Sequence, residues 1–349
     1  MKILLTGATG FLGKYLVKEL APKVETLYVL VRSKSFKAAQ RAFKDYKNVE
    51  YISGDIRLPD IVDEDKNLKL LREEVDSIVH AAAFYDIQGG YADSFLQNVM
   101  GTQNTLYFAS SCKNLKFFHY ISTIAVSGDF KGVFTEDALE CQQNFYNHYS
   151  KTKYDAELLV RNWECKRIQK KIYRPGIIVG DSHTGEMGRV DGPYYFFRFL
   201  KDLKEKHSSL LSLMKIFPLP FDSKAQIPLI PVDWAAEMIA KGVLKNKIVE
   251  DVSSYHLYAH DCPKAIDFIR DSFAAFGIKS VPVALPATQL NPMIMDKVKL
   301  PRELLTYMYS RCLYDQKYYD KDLVSSEPRY YSEFKKVFFE YAAKRMKYS

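Results

Sequence analysis

Residues 1–13 read MKILLTGATGFLG, and this stretch decides the fold. Lys2–Thr6 is a short apolar strand. Gly7-Ala-Thr-Gly10-Phe-Leu-Gly13 is a glycine-rich turn, and the run from Leu12 to Leu20 has helical spacing. A strand feeding a glycine turn that opens a helix presents backbone N–H groups and a positive helix end to a pyrophosphate. Gly7 and Gly10 allow the tight turn and the close approach, and Gly13 lets the helix lie against the sheet. The spacing is G-x-x-G-x-x-G, not the commoner G-x-G-x-x-G, and a glycine triplet alone says little. The strand–turn–helix context makes it a dinucleotide site, with Gly7, Thr9, Gly10, Phe11 and Leu12 expected against the ligand.

Working outward, strand and helix segments alternate. Strands are expected at Lys2–Thr6, Thr26–Val31, Val49–Ser53, Ser77–Ala82 and Lys116–Ser122, and again at Lys171–Tyr173 and Ile177–Gly180. Helices are expected at Phe11–Leu20, Ser35–Lys44, Leu68–Glu74, Asp93–Cys112 and Tyr149–Glu164. Strands such as Ile78-Val-His-Ala-Ala are apolar on both faces, as in a parallel sheet covered on each side. Repeated βα units with right-handed crossovers predict an α/β fold, a doubly wound, mostly parallel Rossmann sheet. After Gly180 the pattern breaks. Asp181–Pro193 reads as a long functional loop, Leu200–Met214 as a helix, Phe217–Phe221 as extended, and Asp233 as the N-cap of a further helix. From about Pro263 the chain is helical and aromatic. The predicted organisation is a dinucleotide-binding domain (1–180 plus about 226–262) and a smaller, mainly helical substrate lobe (about 181–225 plus 263–349).

Tyr149 and Lys153 form Y-x-x-x-K, which puts both side chains on one face of a helix. A phenol near pKa 10 is a poor acid–base group at neutral pH, and an adjacent ammonium favours its phenolate. A solvated helix face explains the pair equally well. Its position at the start of a helix after the fifth strand tips the balance. That strand ends in Ser122 and Thr123, at the carboxyl edge where open α/β sheets bind ligands. A hydroxyl there can donate to a carbonyl oxygen gaining charge; the alternative is a side-chain-capped turn. The second strand ends Val29-Leu-Val-Arg32-Ser-Lys34, without the carboxylate that would bind a ribose 2′-OH. Arg32 and Lys34, with Ser33 between them, suit a 2′-phosphate, so NADPH is favoured over NADH. The competing role for Arg32 is stacking on the adenine of either cofactor.

Bulk properties limit the classes. The 349 residues are 47% hydrophobic and 26% charged, an ordinary globular composition. The five cysteines are scattered and lack CxxC spacing, which predicts a reduced, cytoplasmic protein with no metal site. No signal-peptide core or membrane-spanning run is seen. The net charge of +8 comes from Lys and Arg interleaved with 42 acids, and no nucleic-acid motif appears. A polyanionic cofactor or substrate is the preferred explanation. Phe334, Val337, Phe338 and Tyr341 share one face of a C-terminal helix, to be packed on its own domain or, alternatively, laid on a membrane surface.

Taken jointly, Thr6–Gly13, Gly54-Asp-Ile56, His80-Ala-Ala-Ala83, Asn98-Val-Met-Gly-Thr-Gln-Asn104, Ser122-Thr123, Tyr149–Lys153 and Arg174-Pro-Gly176 resemble the extended branch of the short-chain dehydrogenase/reductase family, over about residues 1–260. The resemblance implies Tyr149 as proton donor or acceptor, Lys153 as the residue that binds the nicotinamide ribose and tunes Tyr149, and Thr123 as the family's hydroxyl, with Ser122 ranked behind it. It implies Asp55 and Ile56 beside the adenine, Ala81 and Ala82 along the cofactor path, and Pro175, Gly176 and Ile178 at the nicotinamide. Asn98 is either a brace of the site or a simple helix–strand hydrogen bond. Paired helices such as Asp93–Cys112 and Tyr149–Glu164 suggest, by the same likeness, a homodimer.

Arg174–Glu186, Asp191–Phe197 and Ile230-Pro-Val-Asp-Trp-Ala-Ala-Glu237 are similar to the fatty acyl-CoA reductase and thioester-reductase group. That implies an NADPH-dependent reductase of an apolar acyl carbonyl, thioester or aldehyde or ketone, on a small-molecule or carrier-linked substrate. Tyr194 onward, with Leu200, Leu203, Leu210, Leu211 and Met214, is then the expected wall of an acyl pocket, core packing being the alternative. The likeness weakens after residue 260. A nucleotide-sugar epimerase or dehydratase holding NAD, a hydroxysteroid-type dehydrogenase, and a non-catalytic dinucleotide sensor are the rival functions.

Overall fold

The computed structural model describes the chain except residues 86–88, 189–191, 246–251, 286–307, 324–328 and 346–349. In chain order the strands are β1 (Lys2–Thr6), β2 (Thr26–Val31), β3 (Val49–Ser53), β4 (Ser77–His80), β5 (Phe117–Ile121), β6 (Gly132–Phe134), β7 (Gln169–Pro175), β8 (Ile177–Val179), β9 (Ile216–Pro220), β10 (Leu229–Pro231), β11 (Val252–Leu257), β12 (Val281–Leu285) and β13 (Cys312–Tyr314). The helices are α1 (Phe11–Leu20), α2 (Phe36–Ala42), α3 (Asp65–Glu74), α4 (Tyr91–Ser94), α5 (Gly101–Ser111), α6 (His148–Asn162), α7 (Pro193–Leu213), α8 (Val232–Leu244), α9 (Ala265–Ala275), α10 (Lys317–Asp322) and α11 (Tyr331–Arg345). Seven strands form one sheet in the order β11-β7-β5-β4-β1-β2-β3. Every ladder in it is parallel, with Lys2 opposite Thr26 and Ile3 opposite Ser77. The chain order reverses direction between β1 and β4, and a doubly wound sheet opens its ligand crevice at that point.

Strands β1, β2, β4 and β5 are buried on both faces. One apolar layer packs α1 and α8 against the sheet through Leu16, Val17, Leu20, Ala236 and Ile239; the opposite layer packs Leu71, Phe108, Ala109, Ala156 and Val160. Burying such side chains contributes about 1.5–3 kcal/mol each for the larger ones.

Five expectations are corrected. β4 stops at His80, because Ala81 and Ala82 turn to pass beneath Gly7. The helix foreseen over Asp93–Cys112 is broken by a π-helical turn, Phe95–Met100, between α4 and α5. Asp233 is not the N-cap of α8. Pro231 precedes that helix, and the Asp233 carboxylate accepts from Ser182 N–H (2.9 Å) and Oγ–H (2.6 Å), tying the loop after β8 to α8. The part from Pro263 on is not all helical: it adds β12 and β13, which pair in parallel with β9, the extended run expected at Phe217–Phe221, and with β6. Helix α7 also begins earlier than expected, at Pro193, which suits the first helical position.

The apolar face of α11 is taken up internally. Phe334 meets Trp234 at 5.3 Å and Phe338 meets Phe197 at 5.4 Å between ring centroids, while Lys335, Lys336 and Lys344 are exposed. No helix among the described residues is long and apolar enough to cross a membrane.

Candidate active site

Gly7 follows β1 at φ +78°, in the left-handed region that glycine adopts without strain. A Cβ there would stand 2.6 Å from Ala82 N, and one on Gly13 would stand 2.1 Å from Gly7 O. The turn is therefore closed over the start of the Ala81–Ala82 segment, and only glycine fits. Gly10 caps α1 with no side-chain hydrogen bond, so the first-turn N–H groups of a ten-residue helix open onto the crevice. This is the backbone an anionic group requires.

The crevice is a cavity of about 890 Å³. Gly7, Gly10, Phe11, Leu12, Arg32 and Ala81 line it on the β1–β2 side; Thr123, Tyr149, Lys153, Pro175, Gly176 and Ile178 line it on the β5–β7 side. With strands about 4.8 Å apart, the span from β2 to β5 is about 14 Å. The sequence reading thus converges on one surface for twelve of its residues. Five others do not reach the wall. Thr9 is exposed at the tip of the turn, and Ser33 is exposed with its hydroxyl 3.5 Å from that of Ser53. Asp55 is engaged by Arg57, Nη2 to Oδ2 at 2.6 Å. Burial pushes its carboxyl up, but the Arg57 hydrogen bonds outweigh this and hold it below its ordinary range. Ile56 is buried against Gly101, whose absent Cβ it would touch at 2.6 Å. Ala82 lies under Gly7, its N–H donating to Thr6 Oγ1 at 3.1 Å.

Residues the sequence reading missed also line the cavity: Lys14, Arg57, Tyr85 and Gln97 among them. Arg57 follows Asp55 by two positions, and Lys14 follows Gly13, so both sat beside recognised motifs. Four cations (Lys14, Arg32, Lys34, Arg57) therefore border the crevice on the β1–β3 side. Tyr85 packs edge-on against Tyr149, 4.6 Å between centroids and 76° between planes.

At the other side, Thr123 caps the turn Ile124–Ser127, its Oγ1 accepting from Ala125 N–H at 3.2 Å. The capping role and the site role coexist: the oxygen is an acceptor in that bond, so the hydroxyl hydrogen remains available to the cavity. Ser122 differs. Its hydroxyl donates to Glu157 Oε2 at 2.6 Å and is already committed. Lys153 is buried, with Nζ donating to Tyr120 Oη and Ile121 O at 2.7 Å each. Burial lowers its pKa to about 7, against an opposing pull from Glu157. Asn98, in the π-helical turn, accepts from Phe84 N–H (2.7 Å) and donates to Phe84 O (3.1 Å) and Thr152 Oγ1 (3.0 Å). It braces the Phe84–Tyr85 wall against α6, and π-helical turns are frequent at such places.

The acyl-pocket expectation is revised. Tyr194, Leu200 and Leu211 are buried in the core, Leu203 packs partly against it, and the side chain of Leu210 lies outside the described residues. The apolar part of the cavity is instead walled by Met187, Phe196, Ile227, Phe268, Ile269 and Met308. Phe196 faces away from Tyr194 by two helical positions, a distinction that apolar content alone does not make. Met187 is fixed through its carbonyl, which accepts from Arg345 of α11.

A family model described as Male sterility protein (NAD_binding_4) matches residues 5–239. Among curated proteins, a carboxylic acid reductase of Segniliparus rugosus is 27% identical over 270 residues, 68% of this chain and 22% of that protein. Fatty acyl-CoA reductase wat of Drosophila melanogaster is 24% identical over 292 residues, 70% of this chain and 55% of that protein. The chain thus spans about a fifth to about half of the length of these relatives. Among solved structures, the terminal R domain from the myxalamid PKS-NRPS biosynthetic pathway superposes with a TM-score of 0.79 at 24% identity, over 100% of this chain and 91% of that one. UDP-glucuronic acid 4-epimerase from Bacillus cereus shares the fold with a TM-score of 0.67 at 19% identity.

Proposed function

The chain belongs to the Male sterility protein family, oxidoreductases of the extended short-chain dehydrogenase/reductase type, and on that premise we propose that it is an NADPH-dependent reductase of an apolar acyl carbonyl, a thioester or the corresponding aldehyde or ketone. The observation that carries the proposal is the single cavity shared by Thr123, Tyr149 and Lys153, the glycine turn, and the apolar wall of Phe196, Phe268, Ile269 and Met308. The Gly7 cradle, the open N-terminus of α1 and the nearby cations fit a dinucleotide. Arg32 and Lys34 suit its 2′-phosphate, and no carboxylate follows β2 to bind a free 2′-OH. A bound nicotinamide supplies hydride.

The chain's own residues do the rest. Thr123 donates its hydroxyl hydrogen to the carbonyl oxygen as charge develops there. Tyr149 delivers the proton, and Lys153 orients the ligand side and favours the phenolate. The relatives named as carboxylic acid and fatty acyl-CoA reductases, and the R-domain neighbour, support an acyl substrate, including one held on a carrier. Residues 1–180 with about 226–262 are assigned to the cofactor, and the remainder to the substrate.

The test is oxidation of NADPH against NADH with long-chain acyl thioesters, aldehydes and sterol ketones. NADPH-selective turnover that collapses in Tyr149→Phe, with cofactor affinity retained, is expected. Tightly held NAD in the purified protein, or full activity in Tyr149→Phe, would overturn the proposal.

A further inference from the structure

Lys153 stands in an unusual contact. An ammonium has three hydrogens and no lone pair. Here two go to neutral oxygens of β5, the Tyr120 phenol and the Ile121 carbonyl, both at 2.7 Å. The third is left for the cavity that Lys153 lines. Nζ also lies 4.2 Å from the centre of the Tyr120 ring. Tyr120 is 1% exposed and Lys153 2%, so their contact lies away from bulk water.

The hydrogen-bond directions beside Tyr120, around Thr102, are fixed. Thr102 Oγ1 donates to Asn98 O at 2.6 Å, so toward its other neighbours it is an acceptor. It accepts from His80 Nε2–H at 3.1 Å, which leaves His80 Nδ1 to accept from Thr6 Oγ1 at 2.8 Å. The His80 ring stacks beside the Tyr120 ring, 5.8 Å between centroids, so the ring that carries the phenol oxygen is packed in place. The Tyr120 oxygen accepts from the Lys153 ammonium.

Among the described residues no carboxylate touches the ammonium. Glu157, one turn along α6, gives its oxygens to Arg174, Arg161 and Ser122. On β4, His80 is held neutral, burial and the nearby Lys153 lowering it to about 3. On β5, Tyr120 is held neutral, chiefly by burial. On α6, Tyr149 precedes Lys153 by one turn. Two neutral acceptors therefore stabilise the charge at short range, with Glu157 acting from farther off.

We propose that Tyr120 is the positioning residue of the site: its phenol oxygen fixes the Lys153 ammonium beneath the cavity and favours the protonated form against the burial that opposes it. The inference rests on the Tyr149–Lys153 reading of the site.

The test is Tyr120→Phe, which removes the phenol hydroxyl and keeps the ring. NADPH binding, followed by nicotinamide fluorescence, and kcat/KM are measured from pH 5 to 10. Weakening a charge-assisted hydrogen bond destabilises the protonated form, so the alkaline limb of both profiles moves to lower pH, by about one unit. A uniform loss at every pH with the limb unmoved overturns the proposal, since a packing role produces that. Should Tyr120→Phe not fold, 3-fluorotyrosine at position 120 keeps the shape and weakens the acceptor. It moves the limb the same way by less, and an unmoved limb again refutes the proposal. If Tyr149→Phe retains full turnover, the reading of the site itself fails. If Tyr149→Phe abolishes turnover and the limb in Tyr120→Phe stays in place, only the role of Tyr120 fails.

Discussion

Replacing Glu157 with Gln probes the charged centre beneath the site. Glu157 and Arg174 are both fully buried. The carboxylate accepts from Arg174 Nη2 (2.6 Å) and Nε (3.2 Å), from Arg161 Nε (3.0 Å) and from Ser122 Oγ (2.6 Å). Among the described residues it is the carboxylate paired with Arg174. Glutamine keeps the shape, removes the charge and turns an N–H₂ toward donors. The guanidinium is left in the core uncompensated, at a cost of about 3–5 kcal/mol. Against a total stability of about 5–15 kcal/mol that is a large loss, worth roughly 4–7 °C in Tm. Urea unfolding of both proteins measures it, and a loss under about 1 kcal/mol would refute the charge argument. The pH dependence gives an independent check. Burial raises the Glu157 pKa, but Arg174 and Arg161 outweigh it and hold the carboxyl at about 2, against an ordinary 4.5. A depressed carboxyl contributes fully above its unfolded value and loses that contribution as pH falls through the folded one. The gap between the two proteins is therefore widest above pH 4.5 and narrows toward pH 2. A gap that widened on acidification would contradict the pairing.

Two further outcomes follow from the geometry. Gly7→Ala places a Cβ 2.6 Å from Ala82 N at φ +78°, so NADPH affinity falls at least about tenfold by fluorescence titration; unchanged affinity would remove the turn from the cofactor site. Arg32→Ala with Lys34→Ala weakens NADPH by more than about tenfold, leaves NADH nearly untouched and flattens the salt dependence of NADPH binding. Equal losses for both dinucleotides would mean that neither side chain reads the 2′-phosphate.

The parallel sheet was legible because β1, β2, β4 and β5, buried on both faces, carry largely apolar runs, and these four and β3 sit within a residue or two of their expected bounds. The glycine turn was legible because steric exclusion at Gly7 and Gly13 admits one residue type. What escaped was decided by side-chain partners, near or far in sequence, that a motif does not announce. Asp233 looks like a helix cap until Ser182, 51 positions earlier, takes its oxygens. Asp55 looks available to an adenine until Arg57 pairs with it. The acyl wall was placed on α7 by apolar content, yet most of the apolar lining comes from α9 and from isolated positions such as Met187, Ile227 and Met308. Periodicity identifies a buried face without saying whether protein or ligand buries it. The π-helical turn at Asn98 has no glycine or proline to announce it.

Helix α6 shows how one periodic pattern serves both ends of the problem. Tyr149, Lys153 and Glu157 are spaced four apart and form one stripe, about 12 Å long. The stripe descends from the cavity into the core. At its top the phenol meets the cavity and Tyr85; in the middle the ammonium is held by two neutral oxygens; at the bottom the carboxylate is neutralised by two arginines and a serine. The separation matters chemically. A free carboxylate beside Lys153 would fix the ammonium but would also compete with Tyr149 as a base. With Glu157 engaged by Arg174, its charge is taken up on the far side from the cavity. The same contact holds the two strand ends that form the site, Ser122–Thr123 after β5 and Arg174–Pro175 at the end of β7. The arrangement that stabilises the core thereby also sets the positions of the Thr123 hydroxyl and of the cavity wall opposite it.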